Sequence, residues 1–169
     1  EVRTSLQELA DGYDLTRLGR APARFDPEEL NRLNTKILHE ASFEQVHEKL
    51  GALGIGGGAP FWDAVKGNIE NIQDAQALWQ IVDGPVTPEI DPEDADYVAL
   101  ALEVLPEDPW SLETWGEWTS ALKEKTGRKG RALFMPLRKA LTGQAQGPEM
   151  QNLLLLIGAE RAKNRLTGI

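Results

Sequence analysis

Apolar residues recur at intervals of three and four through almost the whole chain, and no stretch alternates apolar with polar residues as a half-buried strand would. Such a chain can bury its apolar side only by packing helix against helix, so the sequence predicts an all-α fold of about nine helices. The starts and stops are written in capping chemistry. Ser5 and Glu8 form a capping-box pattern ahead of Leu6 and Leu9, and Ser42 with Gln45 repeats it ahead of Phe43, Val46 and Leu50. Asp26 is placed to cap a longer helix, with Pro27 in its first turn and Leu30, Leu33, Ile37 and Leu38 close to one face. Residues 50–60 carry five glycines and a terminal proline, which predicts a break.

Helical spacing resumes with Phe61, Trp62, Val65 and Ile69, then with Ala75, Leu78, Trp79 and Val82. Residues 83–92, DGPVTPEIDP, hold three prolines and predict a junction between two small helical subdomains, 1–86 and 87–169. Beyond it, Asp91 and Pro92 should cap a helix carrying Val98, Leu100, Ala101, Leu102 and Val104. Leu112, Trp115, Trp118 and Leu122 mark the next, and LFMPLRKALTG marks another that ends at Gly143. Gly147 and Pro148 open a leucine-rich helix, Gly158 stops it, and a last helix covers roughly 160–166.

Composition narrows the chemistry. With 169 residues and 41% hydrophobic residues there is enough to bury a core, and no apolar run approaches the roughly 18 residues of a membrane span. The absence of cysteine removes disulfides, thiol nucleophiles and Cys-based zinc sites. His39 and His47 lie eight apart, which is not metal-ligand spacing on a helix, so no metal is expected. A cytoplasmic location is the expectation. Residue 1 is Glu and no targeting pattern follows it, so the chain reads as a piece of something longer.

The net charge of -9 hides an asymmetry: residues 1–120 sum to -16 and residues 121–169 to +7. An anion-binding end on an acidic protein would look like this, and so would a cationic surplus on a solvated helical face. The acidic cluster Glu89, Asp91, Glu93, Asp94 and Asp96 fails the EF-hand test, because Ala95 and Asp96 stand where an oxygen ligand and the obligatory glycine belong. Carboxylates in the first turn of a helix explain it better. The glycines of 51–58 follow no strand and lead into no Lys-Ser or Lys-Thr pair, so they predict a connector and not a phosphate cradle. No catalytic motif occurs, and Trp62, Trp79, Trp115 and Trp118 fall in apolar stripes that read as core.

The sharper signal is basic. Lys123, Lys125, Arg128, Lys129, Arg131, Arg138 and Lys139 fall within seventeen residues and alternate with apolar anchors. Arginine can bond a base edge through two donors, and the helix start at Gly147 offers free backbone N–H groups, a combination suited to single-stranded RNA. A basic helical hairpin without a ligand has the same composition.

Residues 127–166, GRKGRALFMPLRKALTGQAQGPEMQNLLLLIGAERAKNRL, resemble the C-terminal end of bacterial glutamyl-tRNA synthetases: G-x-K-G, L-F-x-P-L-R-x-A-L-T-G, G-P, a leucine-rich helix, L-G and a closing R-L. Upstream, Phe25, Asp26, Leu30, Leu33 and Asn34 keep the family's F-D-x-x-K-L-x-W-L-N pattern, with Glu29 in place of the lysine and Arg32 in place of the tryptophan. The resemblance implies an anticodon-binding cage of two helical subdomains, belonging to a class I aminoacyl-tRNA synthetase whose ATP and Mg act in a separate catalytic domain. The signatures of that domain do not occur in this sequence, so the chain alone should be inactive and hold no cofactor. By the same resemblance Arg138 contacts anticodon bases, with Gly147, Pro148 and Met150 beside them. Arg128, Lys129 and Arg131 are expected at phosphates. Lys66 and Asn68 stand where arginine often reads the last anticodon base, which leaves open whether glutamine tRNA is a partner beside glutamate tRNA. DNA and membranes are not expected partners. A helical protein-interaction module, using the acidic first two-thirds to bind a basic partner, is the competing reading.

Overall fold

The computed structural model describes residues 6–14, 16 and 26–168. The expected cap at Ser5 and the motif residue Phe25 lie outside them. Among the described residues there are ten α-helices and no strand. They are α1 Leu6–Asp11, α2 Pro27–Glu40, α3 Phe43–Ala52, α4 Gly58–Val65, α5 Ala75–Asp83, α6 Ala95–Glu103, α7 Thr114–Thr126, α8 Arg131–Thr142, α9 Met150–Ile157 and α10 Ala159–Leu166. None is long and apolar enough to cross a membrane.

Asp26 and the Ser42–Gln45 pair cap as predicted, whereas Asp91 makes no side-chain cap bond and leads into a 3-10 turn, Pro92–Asp94, before α6, and α9 begins at Met150, after Gly147 and Pro148. Asp26 accepts the Glu28 N–H at 2.9 Å, with Pro27 at the first helical position where its missing donor costs nothing. The Ser42–Gln45 capping box opens α3. The glycine stretch breaks the helix over a shorter span than expected, because Gly51 and Ala52 finish α3 and Gly58, Ala59 and Pro60 form the first turn of α4. Proline is tolerated in a first turn, so only residues between these helices have to turn the chain.

One apolar core runs through both halves of the chain. Trp62 is fully buried and donates its indole N–H to the Ala41 carbonyl at 2.8 Å, and Trp118 does the same to Ala101 at 2.9 Å. These bonds remove the cost of burying an indole donor. Phe61, Val65, Val82, Val98, Leu122, Leu137, Leu141, Leu153, Leu154 and Ile157 fill the space between them. On α2 the expected apolar face is only partly covered: Leu38 is buried, while Leu30, Leu33 and Ile37 remain exposed. Both histidines serve the backbone, His39 Nε2 lying 3.0 Å from the Ile69 carbonyl and His47 Nδ1 2.8 Å from that of Glu44.

The proline-rich segment is strapped along the end of α8. Glu89 donates its backbone N–H to the Lys139 carbonyl at 3.2 Å, and the Thr87 carbonyl faces Gly143. Gly143 has φ +65° and ends α8, and a Cβ there would come within 2.9 Å of that carbonyl, so the position requires glycine twice over. Arg165 on α10 is 4% exposed and reaches across the same junction. It donates to the carbonyls of Leu141 at 2.9 Å, Val82 at 3.4 Å and Gly84 at 3.2 Å.

Candidate nucleic-acid interface

The helix carrying the expected base-reading residue has a proline in its sixth position. Pro136 has no N–H to offer the carbonyl of Ala132, four residues earlier, so that acceptor needs another partner. Arg128 supplies one, its Nη1 lying 3.3 Å from the Ala132 carbonyl. Tyr97, from α6, donates its hydroxyl to the neighbouring Leu133 carbonyl at 2.7 Å. Burial outweighs the opposing pull of Arg128 and pushes the Tyr97 phenol up to about 12, so it keeps its donor proton at any ordinary pH. Arg128 also pairs with Asp94 and lies over the Tyr97 ring, 4.2 Å from its centroid. The guanidinium is thus engaged on three sides in holding α8 against α6.

The acidic cluster is the other half of this arrangement. Lys139 bonds Glu89 at 2.7 Å and Asp91 at 3.2 Å, and these carboxylates, Glu89 first, raise its pKa. Arg161 pairs with Asp83 at 2.6 Å. Carboxylates expected only to complement a helix dipole therefore also pin the basic segment from across the junction. Lys123, Lys125, Lys129 and Arg131 make no ion pair among the described residues, and all four are exposed. Arg131 opens α8, where a cation meets the positive end of the helix dipole and gains nothing from the helix itself.

Arg138 follows Pro136 on α8 and lines a cleft of ≈ 300 Å³ with Trp115, Phe134, Glu149, Met150 and Gln151. Its Nη2 donates to the Pro148 carbonyl at 2.9 Å, while Nη1 is buried and has no hydrogen-bond partner among the described residues. Burial lowers the Arg138 pKa, but a guanidinium starts so high that it stays charged at neutral pH. Gly147 lies directly over this group: a Cβ built there would sit 3.5 Å from Nη1, and its φ of +142° disfavours any other residue. Glu149 occupies the position before α9 without a side-chain capping bond, and Met150 begins the helix, 5% exposed. The structure thus brings Arg138, Gly147, Pro148 and Met150 together.

Lys66 and Asn68 do not share that cleft. They form a 3-10 turn after α4, where Lys66 is paired with Asp63 at 2.8 Å. Trp115 departs from expectation in the opposite direction. It is half-buried and stands at the cleft wall, edge-on to the buried Trp118 at 5.7 Å and tilted 33° to Phe134 at 6.2 Å. An apolar stripe on α7 could not separate a tryptophan inside the core from one at its rim. Among the described residues no group of three or more carboxylate or imidazole side chains could hold a metal ion.

An all-α fold with a partly unsatisfied guanidinium at a small cleft, and with four exposed cations that make no ion pair among the described residues, has the features of a surface that binds a nucleic acid strand. The chain belongs to the anticodon binding domain family, which matches residues 63–169. It is 51% identical over 165 residues to glutamate–tRNA ligase 1 of Parvibaculum lavamentivorans, covering 98% of this chain and 36% of that protein. The corresponding protein of Brucella ovis is 49% identical over 161 residues, covering 93% and 35%. This chain thus spans about a third of the length of these relatives. Its fold matches a crystal structure of a glutamate–tRNA ligase from Elizabethkingia meningosepticum with a TM-score of 0.81 and 21% identity, over 97% of this chain and 36% of that one.

Proposed function

We propose that this chain is the anticodon-reading region of a glutamate–tRNA ligase, built of two subdomains, 1–86 and 87–169, around a shared core. The observation that carries this reading is Arg138 at a cleft of ≈ 300 Å³, with its buried Nη1 a charged donor that has no partner among the described residues. A buried unpaired donor costs about 1–3 kcal/mol, a cost recovered when an acceptor on an unstacked base arrives. Met150 lines that cleft, Gly147 and Pro148 hold the guanidinium beside it, and Lys66 and Asn68 would meet the loop at a second point. Phosphate attraction falls to Lys129 and Arg131, because Arg128 is engaged within the fold.

The parent protein would join glutamate to its tRNA in the cytoplasm during protein synthesis. ATP and Mg would be held by a catalytic region outside this chain. Glutamate tRNA is the partner proposed, since the relatives' names speak of glutamate alone. The competing protein-interaction reading loses ground because Asp83, Glu89, Asp91 and Asp94 are already neutralised by cations of the same chain.

A titration with unmodified tRNA tests the proposal. Glutamate tRNA should bind more tightly than the same tRNA with an altered anticodon. Replacing Lys129 and Arg131 with alanine together should weaken both equally and flatten the salt dependence by about 0.7 to 0.9 logarithmic units per lost phosphate contact. Equal affinity for the two anticodons, or an unchanged salt slope, would contradict it.

A further inference from the structure

We infer that Phe134, backed by Trp115, is the stacking shelf on which one unpaired RNA base lies while Arg138 reads it, an assignment that rests on the anticodon reading above. Phe134 is 43% exposed although it stands on a helix that buries Leu133, Pro136 and Leu137. A single exposed apolar side chain needs no explanation on an ordinary surface. This one lines a cleft, and it precedes Arg138 by four residues, which puts both on one face of α8 with the ring a turn below the guanidinium.

Trp115 makes the shelf broad and rigid. Its ring is closer to parallel than to perpendicular with that of Phe134, and its edge is wedged against Trp118, which is wholly buried and hydrogen-bonded to Ala101. Two aromatic rings from different helices therefore form one apolar wall of the cleft. The start of α9, with Met150 and Gln151, also lines the cleft. An aromatic wall beside a polar reader is the pairing that single-stranded RNA recognition uses, since every base has a flat face and only its edge differs. A volume of ≈ 300 Å³ lies at the low end for small-ligand sites and suits one base more than two. The division of labour follows: Phe134 and Trp115 supply affinity without regard to sequence, and Arg138 supplies choice.

The test uses the full chain and an anticodon stem-loop of glutamate tRNA carrying 2-aminopurine at one loop position in turn. At one position the probe should be strongly quenched on binding, as expected for a base stacked on aromatic rings. Phe134→Leu should abolish that quenching and weaken binding by about 5-fold to 150-fold, equally for cognate and altered anticodons, with the melting temperature unchanged. Phe134→Tyr, which keeps the ring, should restore both signals. Binding and quenching retained in Phe134→Leu would overturn the shelf while leaving the anticodon reading intact. A Phe134→Leu variant that melts early yet binds as tightly as the parent would also overturn it, showing that the ring only shields Trp115. Failure of the unsubstituted chain to bind the stem-loop at all would remove the anticodon reading and the shelf with it.

Discussion

Replacing Arg165, a buried cation, with methionine is expected to lower the melting temperature by about 6–12 °C. Its guanidinium is buried among three carbonyls drawn from the end of α5, the glycine after it and the end of α8. Methionine keeps the length and the apolar stem but donates nothing. Each abandoned carbonyl carries a desolvation cost, and after partial relaxation the total should be about 3 kcal/mol. For a domain of this size, 1 kcal/mol moves the midpoint by roughly 2–4 °C. Arg161→Met is the control. Its pair with Asp83 is about half exposed on both sides, so its loss should cost less than about 1 kcal/mol. Thermal melts followed by circular dichroism distinguish the two, and a fall of less than about 2 °C for Arg165→Met would show that the junction is held by apolar packing alone.

Arg138→Lys should collapse the discrimination between cognate and altered anticodons while leaving the charge in place. Arginine's planar fork lets Nη2 hold the Pro148 carbonyl while Nη1 remains for a base; an ammonium is a point charge that can satisfy one role at a time. Losing a hydrogen bond from a charged donor to a base costs about 1.5–3 kcal/mol of discrimination. The internal bond to Pro148 also gives Arg138 a part in ordering the turn at Gly147. A modest drop in melting temperature is therefore expected, and the ratio of cognate to non-cognate affinity is the deciding quantity. A sharply lower midpoint with that ratio unchanged would make Arg138 a structural residue only.

The helices were legible because their ends are set by local chemistry. Asp26 with Pro27, Ser42 with Gln45, and Gly143 each act on neighbours within four residues, and the structure uses each as the sequence suggests. The clustering of Arg138, Gly147, Pro148 and Met150 was reached through the family pattern, which carries spatial information that periodicity lacks.

What stayed hidden depends on partners distant in sequence. Charge gives the sign of Arg128 but not its employer, and its employer is a carbonyl orphaned by Pro136 together with Asp94, 34 residues upstream. A signal did exist, since a proline inside a helical pattern leaves an acceptor in need of a donor, and a block of acids upstream of a block of bases invites pairing. Arg165 offered none: one arginine on an amphipathic helix looks solvated until three separate carbonyls converge on it. Trp115 and Phe134 were hidden because burial at a rim is a property of the assembled core.

Hydroxyl-radical footprinting of full-length glutamate tRNA by this chain tests the central claim most directly. The account predicts protection confined to the anticodon loop and the phosphates flanking it, with the acceptor stem as reactive as in free tRNA, and loss of the loop protection in Arg138→Lys. Protection centred on the acceptor stem, or spread evenly along the tRNA and indifferent to Arg138, would contradict it.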